Sequence, residues 1–253
     1  MKKTLKVLAI GNSFSDDGTR YLYDIGKKGP VEIKLVNLVI GGCSLYRHFI
    51  NMMNDNRSYS MVLNGTYSGF NVSLKEALLC GTEWDVITLQ QVSRQSVHYD
   101  TYQPYLNELV KYIRSLAPKA KLYLQETWAY EEGSKLLCED MGYETSAAML
   151  EDVRASYLQA AKDIHADGII PSGEVMLELS KRGIAKIHRD TFHAHKGIGR
   201  YALALTWYMT LTGMDILDNP FNELDEPATE EEMTIARECV HDIVTGFHPE
   251  QIG

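Results

Sequence analysis

Long apolar runs are missing from this sequence. No stretch approaches the ~20 residues that a helix needs to cross a bilayer, so no membrane role is expected. Cysteine is scarce: Cys43, Cys80, Cys138 and Cys239 stand far apart in 253 residues. No pair has metal-ligand or redox-motif spacing, and so few in so long a chain do not form a disulfide framework; reduced thiols are expected. A basic surplus is also lacking, with 25 Lys and Arg against 34 Asp and Glu and a formal net charge of −9. Binding nucleic acid means neutralising phosphates with basic side chains, and Lys2-Lys3 and Lys27-Lys28 are too small a supply, so no nucleic-acid partner is expected. Repeats and low-complexity linkers are absent, which predicts one domain over 1–253. "MKKTLKVLAIG" opens like a signal peptide, but its apolar core before Gly11 is only Val7–Ile10, shorter than an h-region. It reads as a first strand, and the chain as given is expected to be cytoplasmic, with a trimmed leader as the alternative.

What is present is an α/β rhythm. A hydrophobic content of 45% and a charged content of 23% are ordinary for a globular chain. Short apolar runs at Leu5–Ile10, Ile33–Ile40, Asp85–Leu89, Lys121–Leu124 and Gly168–Ile170 alternate with segments of helical period. That alternation predicts βα units, a mainly parallel five-stranded sheet and a three-layer α/β/α architecture of flavodoxin-like type. "YQPYLNELVKYIRSLAP" puts Leu106, Leu109, Val110, Ile113 and Leu116 on one helical face, and Pro118 halts it. "AAMLEDVRASYLQAAKDIHADG" repeats the pattern, with Gly168 as the expected breaker, and "HKGIGRYALALTWYMTLTG" reads as a buried helix. Thr229 and Glu232 predict a capping box, with Glu230 and Glu231 suiting a positive helix start and Gly246 its end. Residues of about 45–82 break the rhythm as an excursion between the second and third strands, with Asn64-Gly65 marking a hairpin.

In open parallel sheets, ligands bind beyond the carboxyl ends of the strands. There the sequence places, strand by strand, "GNS", "GGCSLYRH", "QQVSRQS", "QETWAY" and finally "HRDTFHAHKGIGRY". One edge thus gathers a serine, glycines, amides, an aspartate and histidines, the inventory of an acyl-transfer site. A serine hydroxyl needs a positioned base, and a histidine serves when a carboxylate fixes its tautomer. Asp190 and His193 offer both from one loop, facing Ser13. A developing oxyanion needs donors, and the Ser13 N–H, a glycine N–H and a side-chain amide would supply them. The helix expected after Ser13 also favours negative charge at its start.

The order Gly-x-Ser, then Gly, then an amide, then Asp-x-x-His resembles the SGNH (GDSL-type) hydrolase superfamily, in a bacterial branch carrying "IGNSFS" where better-known members carry Gly-Asp-Ser. The resemblance runs from about residue 6 to about residue 201. It implies Ser13 as nucleophile, His193 as base, Asp190 as its orienting acid and Gly42 as an oxyanion N–H. The superfamily presents Gly-x-Asn-Asp after the third strand, where this chain has "LQQVS". Gln90 or Gln91 is the replacement donor, with Gln91 preferred because it lies further beyond the strand.

Around that frame, His188 and His195 flank His193. Metal ligands come at fixed spacing with an acid or thiolate alongside, so no metal is assigned, and His195 stays as the competitor to His193. His48, Trp128 and Tyr130 are candidate substrate contacts, the two aromatics as walls for a sugar ring. Tyr46 and Arg47 sit where a loop can cover the site, and Asp16 and Asp17 are expected to cap the helix after Ser13. The sequons "NGT" and "NVS" read as turn chemistry. The expected function is a cofactor-free serine esterase that removes a small acyl group, acetyl foremost, from a carbohydrate or similar small molecule. The alternatives are a glycan-binding protein of the same fold with little turnover, a lipase or thioesterase, and, more remotely, a metal-dependent hydrolase.

Overall fold

The computed structural model describes residues 2–80 and 83–248. Residues 81 and 82, at the far end of the expected excursion, and the chain ends at 1 and 249–253 lie outside the described residues. The elements run β1 (Lys3–Gly11), α1 (Ser13–Thr19), α2 (Leu22–Lys28), β2 (Val31–Val39), α3 (Leu45–Met53), β3 (Tyr59–Leu63), β4 (Thr66–Val72) and α4 (Leu74–Leu78). Then follow β5 (Val86–Leu89), α5 (Tyr105–Leu116), β6 (Lys121–Gln125), α6 (Ser146–Ile164), β7 (Gly168–Ile170), α7 (Ser172–Lys181), α8 (Ile198–Thr212) and α9 (Glu230–Gly246).

Val7–Ile10 of β1 and all of β5 are buried without alternation, the signature of strands covered on both faces. Helices supply that cover in two layers. In one, α1 and α2 pack on α8, with α7 and α9 beside it; in the other, α3 pairs with α5 and α6 lies next to α5. The α8 helix is buried from Ile198 to Tyr208 apart from Arg200, as its all-round apolar sequence requires.

The sheet order is β4-β3-β2-β1-β5-β6-β7. The five strands from β2 to β7 pair in parallel, as expected, but the sheet has seven strands because the excursion rejoins it. β3 and β4 form an antiparallel hairpin added to the free edge of β2. Asn64 and Gly65 both take positive φ, 50° and 80°, the conformation of a tight two-residue turn. The Asn64 side chain then accepts from the Leu35 N–H at 2.9 Å, while its own N–H donates to the Leu35 carbonyl at 3.0 Å. A turn is legible locally, whereas its docking onto β2 is a long-range event.

One helix end and one whole helix also depart from expectation. α6 stops at His165, which takes a left-handed φ of 48°, and Gly168 begins β7 instead of breaking the helix. α7 has no counterpart in the sequence reading. Among the described residues, no helix is long and apolar enough to cross a membrane.

Glu126, at the exit of β6, is buried, and its Oε2 accepts from the N–H groups of Gly173 at 3.0 Å and Glu174 at 3.3 Å. Burial, then the nearby Glu174 charge, raises its carboxyl well above the usual carboxylate range, against the pull of Arg154 and those two donors. A raised folded-state pKa gives stability that is present at low pH and is lost as pH rises above the ordinary value. The thermal midpoint is therefore expected to decline between about pH 5 and pH 8, and Glu126→Gln, which stays neutral, to flatten that decline. Melting curves followed by circular dichroism across this range check it.

Candidate active site

The parallel register aligns Leu38, Ile10, Leu89, Leu124 and Ile169 in one row across five strands. Everything just beyond that row emerges at one edge. β1 ends at Gly11, where a Cβ would lie 2.5 Å from Gln90 Oε1 and 2.7 Å from Ser15 Oγ, so only glycine fits. Asn12 is extended and caps α1: its Oδ1 accepts from the Phe14 N–H at 3.0 Å. The same oxygen accepts from Gln90 Nε2 at 2.9 Å, and Asn12 Nδ2 donates to the Cys43 carbonyl at 3.0 Å. The helix begins at Ser13 itself.

The loop after β2 is stitched to this turn, since Ile40 N–H donates to the Gly11 carbonyl at 3.2 Å. Gly42 takes a left-handed φ of +60°, which side chains other than glycine's rarely adopt. The N–H groups of Ser13 and Gly42 have no acceptor among the described residues.

From the other end of the chain comes the loop 187–195, closed on itself by an isolated bridge between His188 and Ala194. Asp190 Oδ1 accepts from the N–H groups of Phe192 at 3.0 Å and His193 at 2.7 Å, and Oδ2 lies 2.8 Å from His193 Nδ1. Burial is the largest single influence on the Asp190 carboxyl and raises it, but the His193 N–H, the imidazole and the Phe192 N–H together outweigh it and hold it at about 2. The carboxylate therefore keeps its charge and accepts a hydrogen bond from Nδ1–H, leaving Nε2 as an acceptor. Nε2 lies 2.9 Å from Ser13 Oγ.

Every carbonyl from Thr191 to Ala194 is held. Thr191 O accepts from the Glu131 N–H at 2.9 Å and Phe192 O from Trp128 Nε1 at 2.7 Å. His193 O accepts from the Arg189 N–H at 3.0 Å and Ala194 O from Arg189 Nη1 at 2.6 Å. Arg189 Nη1 also straddles both oxygens of Asp17 at 2.8 Å, Arg200 Nε reaches Asp17 Oδ1 at 2.8 Å, and the Ala194 N–H donates to Oδ2 at 3.2 Å. Asp17 lies four residues after Ser13 on α1 and is 0% exposed.

Several expected contacts are corrected by this geometry. Trp128 is 0% exposed, stacked on Phe14 with centroids 3.9 Å apart, and Tyr130 is 1% exposed with its hydroxyl 2.9 Å from Ser93 Oγ. Neither offers a face to a ligand; both support the His193 loop from behind. His48 is also fully buried, its Nδ1 sharing a hydrogen bond with the Tyr59 hydroxyl at 2.8 Å, and burial lowers its pKa to about 3. Gln91 spends its amide inward, Oε1 accepting from Leu45 and Val92 and Nε2 donating to Thr101. Gln90 Nε2 donates to Asn12 and both glutamines are buried, so both direct their amides into the protein rather than outward as expected. Asn12, not Asp16 or Asp17, caps α1. Asp16 accepts from the Tyr67 hydroxyl at 2.9 Å, and burial raises its carboxyl.

The neighbouring histidines diverge from His193. His188 Nε2–H donates to the Ala129 carbonyl at 3.2 Å, and burial lowers its pKa to about 4. His195 Nε2 lies 3.0 Å from Glu226, and its Nδ1 accepts from the Gly197 N–H at 3.2 Å. Among the described residues, no group of three or more His, Cys, Asp or Glu side chains is placed to hold a metal ion. What the sequence reading missed is the Asp17–Arg189–Arg200 cluster. Its one signal was an aspartate one helical turn after Ser13, which was assigned to capping.

Asn12→Ala removes the cap and the tie to Cys43 together, and is expected to cost about 1–2 kcal/mol of stability. Asn12→Ser keeps a capping oxygen without the reach to Cys43 and recovers part of that loss. Urea unfolding of both variants measures it.

Over residues 6–243 the chain matches a family described as a domain of unknown function, DUF4886. The crystal structure of a DUF4886 family protein from Bacteroides uniformis is 31% identical, has a TM-score of 0.87 and is matched over 96% of each chain. Axe2, an acetylxylan esterase from Geobacillus stearothermophilus, is 16% identical with a TM-score of 0.53, over 81% of this chain and 93% of its own. A member of the lipolytic protein G-D-S-L family from Veillonella parvula is 14% identical with a TM-score of 0.52, over 83% of this chain and 100% of its own. At these lower identities the likeness is one of fold, the three-layer α/β/α fold of the SGNH hydrolases. No curated protein matches the chain. By both sequence and structure the chain belongs to the DUF4886 family.

Proposed function

We propose that the chain hydrolyses esters through an acyl group carried on Ser13. The observation that carries this function is the unbroken run from Ser13 Oγ to His193 Nε2 at 2.9 Å and from His193 Nδ1 to Asp190 Oδ2 at 2.8 Å. In the first step Ser13 Oγ attacks the ester carbonyl while its proton passes to His193 Nε2. The new C–O bond puts negative charge on the former carbonyl oxygen, which the N–H groups of Ser13 and Gly42 are free to receive. Collapse breaks the bond to the alcohol, which leaves with the proton from His193. Water then repeats the sequence against the acyl-serine, His193 taking its proton and returning it to Ser13. Asp190 keeps its charge throughout and stabilises the imidazolium.

For substrate we favour a small acyl group, acetyl foremost, on a carbohydrate. The fold shared with an acetylxylan esterase supports it, as does Tyr46. That ring is 51% exposed, packs edge-on against Tyr105 with centroids 5.0 Å apart, and stands at the start of α3 just after Gly42. It takes over the sugar-stacking role first expected of Trp128 and Tyr130. A second reading, glycan binding without turnover, draws on one observation: the side-chain N–H groups of Gln90 and Gln91 donate within the protein.

Turnover of p-nitrophenyl acetate and of acetylated xylo-oligosaccharides by wild type, Ser13→Ala and Asp190→Asn tests this. Ser13→Ala is expected to lose on the order of 10⁴-fold or more in kcat, and Asp190→Asn on the order of 10²–10⁴-fold. Intact-mass measurement after a rapid acid quench should show an acetyl adduct on wild type alone. Equal rates in wild type and Ser13→Ala would overturn the esterase function, and glycan affinity surviving in Ser13→Ala would then establish the binding role. Lengthening p-nitrophenyl acyl chains separate an acetyl esterase from a lipase.

A further inference from the structure

The His193 loop is held to the rest of the protein in two different ways. Its carbonyls at Thr191 and Phe192 accept from Glu131 and Trp128, both in the segment after β6. Those bonds fix the loop to the sheet. They do not fix it to α1, the helix that carries Ser13. Phe14 stacks on Trp128 and the Phe14 carbonyl accepts from Gln125 Nε2 at 3.2 Å, which joins α1 to the end of β6 and, through a stack that tolerates sliding, to the segment beyond it. The directional links that run directly between loop and helix are the Ser13–His193 contact itself and Asp17.

Three groups converge on that carboxylate: the Arg189 guanidinium, the Arg200 guanidinium and the Ala194 N–H. Two of them belong to the loop, and they bracket its working residues. Arg189 immediately precedes Asp190, and Ala194 immediately follows His193. The Arg189 Nη1 atom closes the bracket by also donating to the Ala194 carbonyl at 2.6 Å. Arg200 comes from α8, and its Nη1 lies 2.9 Å from Asp225, which in turn receives Arg20 at the end of α1. The ionic chain therefore starts on α1 at Asp17 and returns to Arg20, the residue that follows the helix.

We infer that Asp17 is a positioning residue: together with Arg189 it sets the Ser13–His193 separation by clamping both ends of the His193 loop to the helix that carries Ser13. A buried carboxylate in low-dielectric surroundings gives stiff, geometry-specific bonds, and proton transfer loses rate steeply when the reacting atoms drift from near-contact. The inference goes beyond the esterase function and rests on it for its kinetic consequence only.

The test uses Arg189→Gln and Arg189→Lys, with Arg154→Gln as the control. Arg154 pairs with Glu174 on α6 and α7, and its side chain is 28% exposed against 23% for Arg189. Arg189→Gln is expected to lower kcat for p-nitrophenyl acetate by about tenfold or more with KM within about threefold of wild type. Arg189→Lys keeps the charge and recovers part of that loss. Amide hydrogen exchange at Phe192, His193 and Ala194 should quicken by about tenfold in Arg189→Gln and stay at the wild-type rate in Arg154→Gln. A kcat within about twofold of wild type, a rise in KM alone, or a kcat loss matched in Arg154→Gln would each overturn the clamp. If wild type turns over no ester, the esterase function fails, and exchange still decides the clamp: unchanged protection at residues 192–194 in Arg189→Gln refutes it, and quickened exchange supports it.

Discussion

Parallel register is the constraint on which the rest of this structure depends. Once Ile10 aligns with Leu38 on one side and Leu89 on the other, every chain exit falls at one height. The backbone groups just past that row have lost their strand partners and must find others. They find them in each other: Ile40 bonds to Gly11, Asn12 to Cys43, Gln90 to Asn12, and Gln91 to Leu45 and Val92. The polar residues at this edge are first of all a solution to that accounting problem. Among the N–H groups left over from it are those of Ser13 and Gly42.

The same logic explains which side chains were misassigned. An amide one step past a strand can face outward to a ligand or inward to orphaned backbone, and the sequence does not distinguish the two. For Gln90 and Gln91 the inward demand prevailed. Trp128 and Tyr130 follow β6 with aromatic character that suits a ligand wall. Yet the loop bearing His193 must rest on something, and the indole both stacks on Phe14 and donates to Phe192. Support for the loop consumed the surface.

What was legible is therefore local or periodic. The five parallel strands follow from apolar runs, the capping box of α9 from Thr229 and Glu232, and the hairpin turn from Asn64-Gly65. The pairing of Asp190 with His193 follows from their spacing. What was not legible joins distant segments: the docking of β3 on β2, and the approach of Arg189 and Arg200 to Asp17 across more than half the chain. An aspartate beside a helix start has an adequate local explanation in capping. Only tertiary packing shows that Asn12 already fills that role and that Asp17 is buried one turn later.

The placement of Ser13 and Asp17 on one short helix has a mechanical consequence. Thermal shifts of α1 as a body carry the hydroxyl and the carboxylate together, and the loop bound to that carboxylate is drawn along. Such displacement is common to both partners and cancels in the distance between them; only relative motion changes it. The site at the sheet edge can in this way keep a 2.9 Å contact while its surroundings breathe.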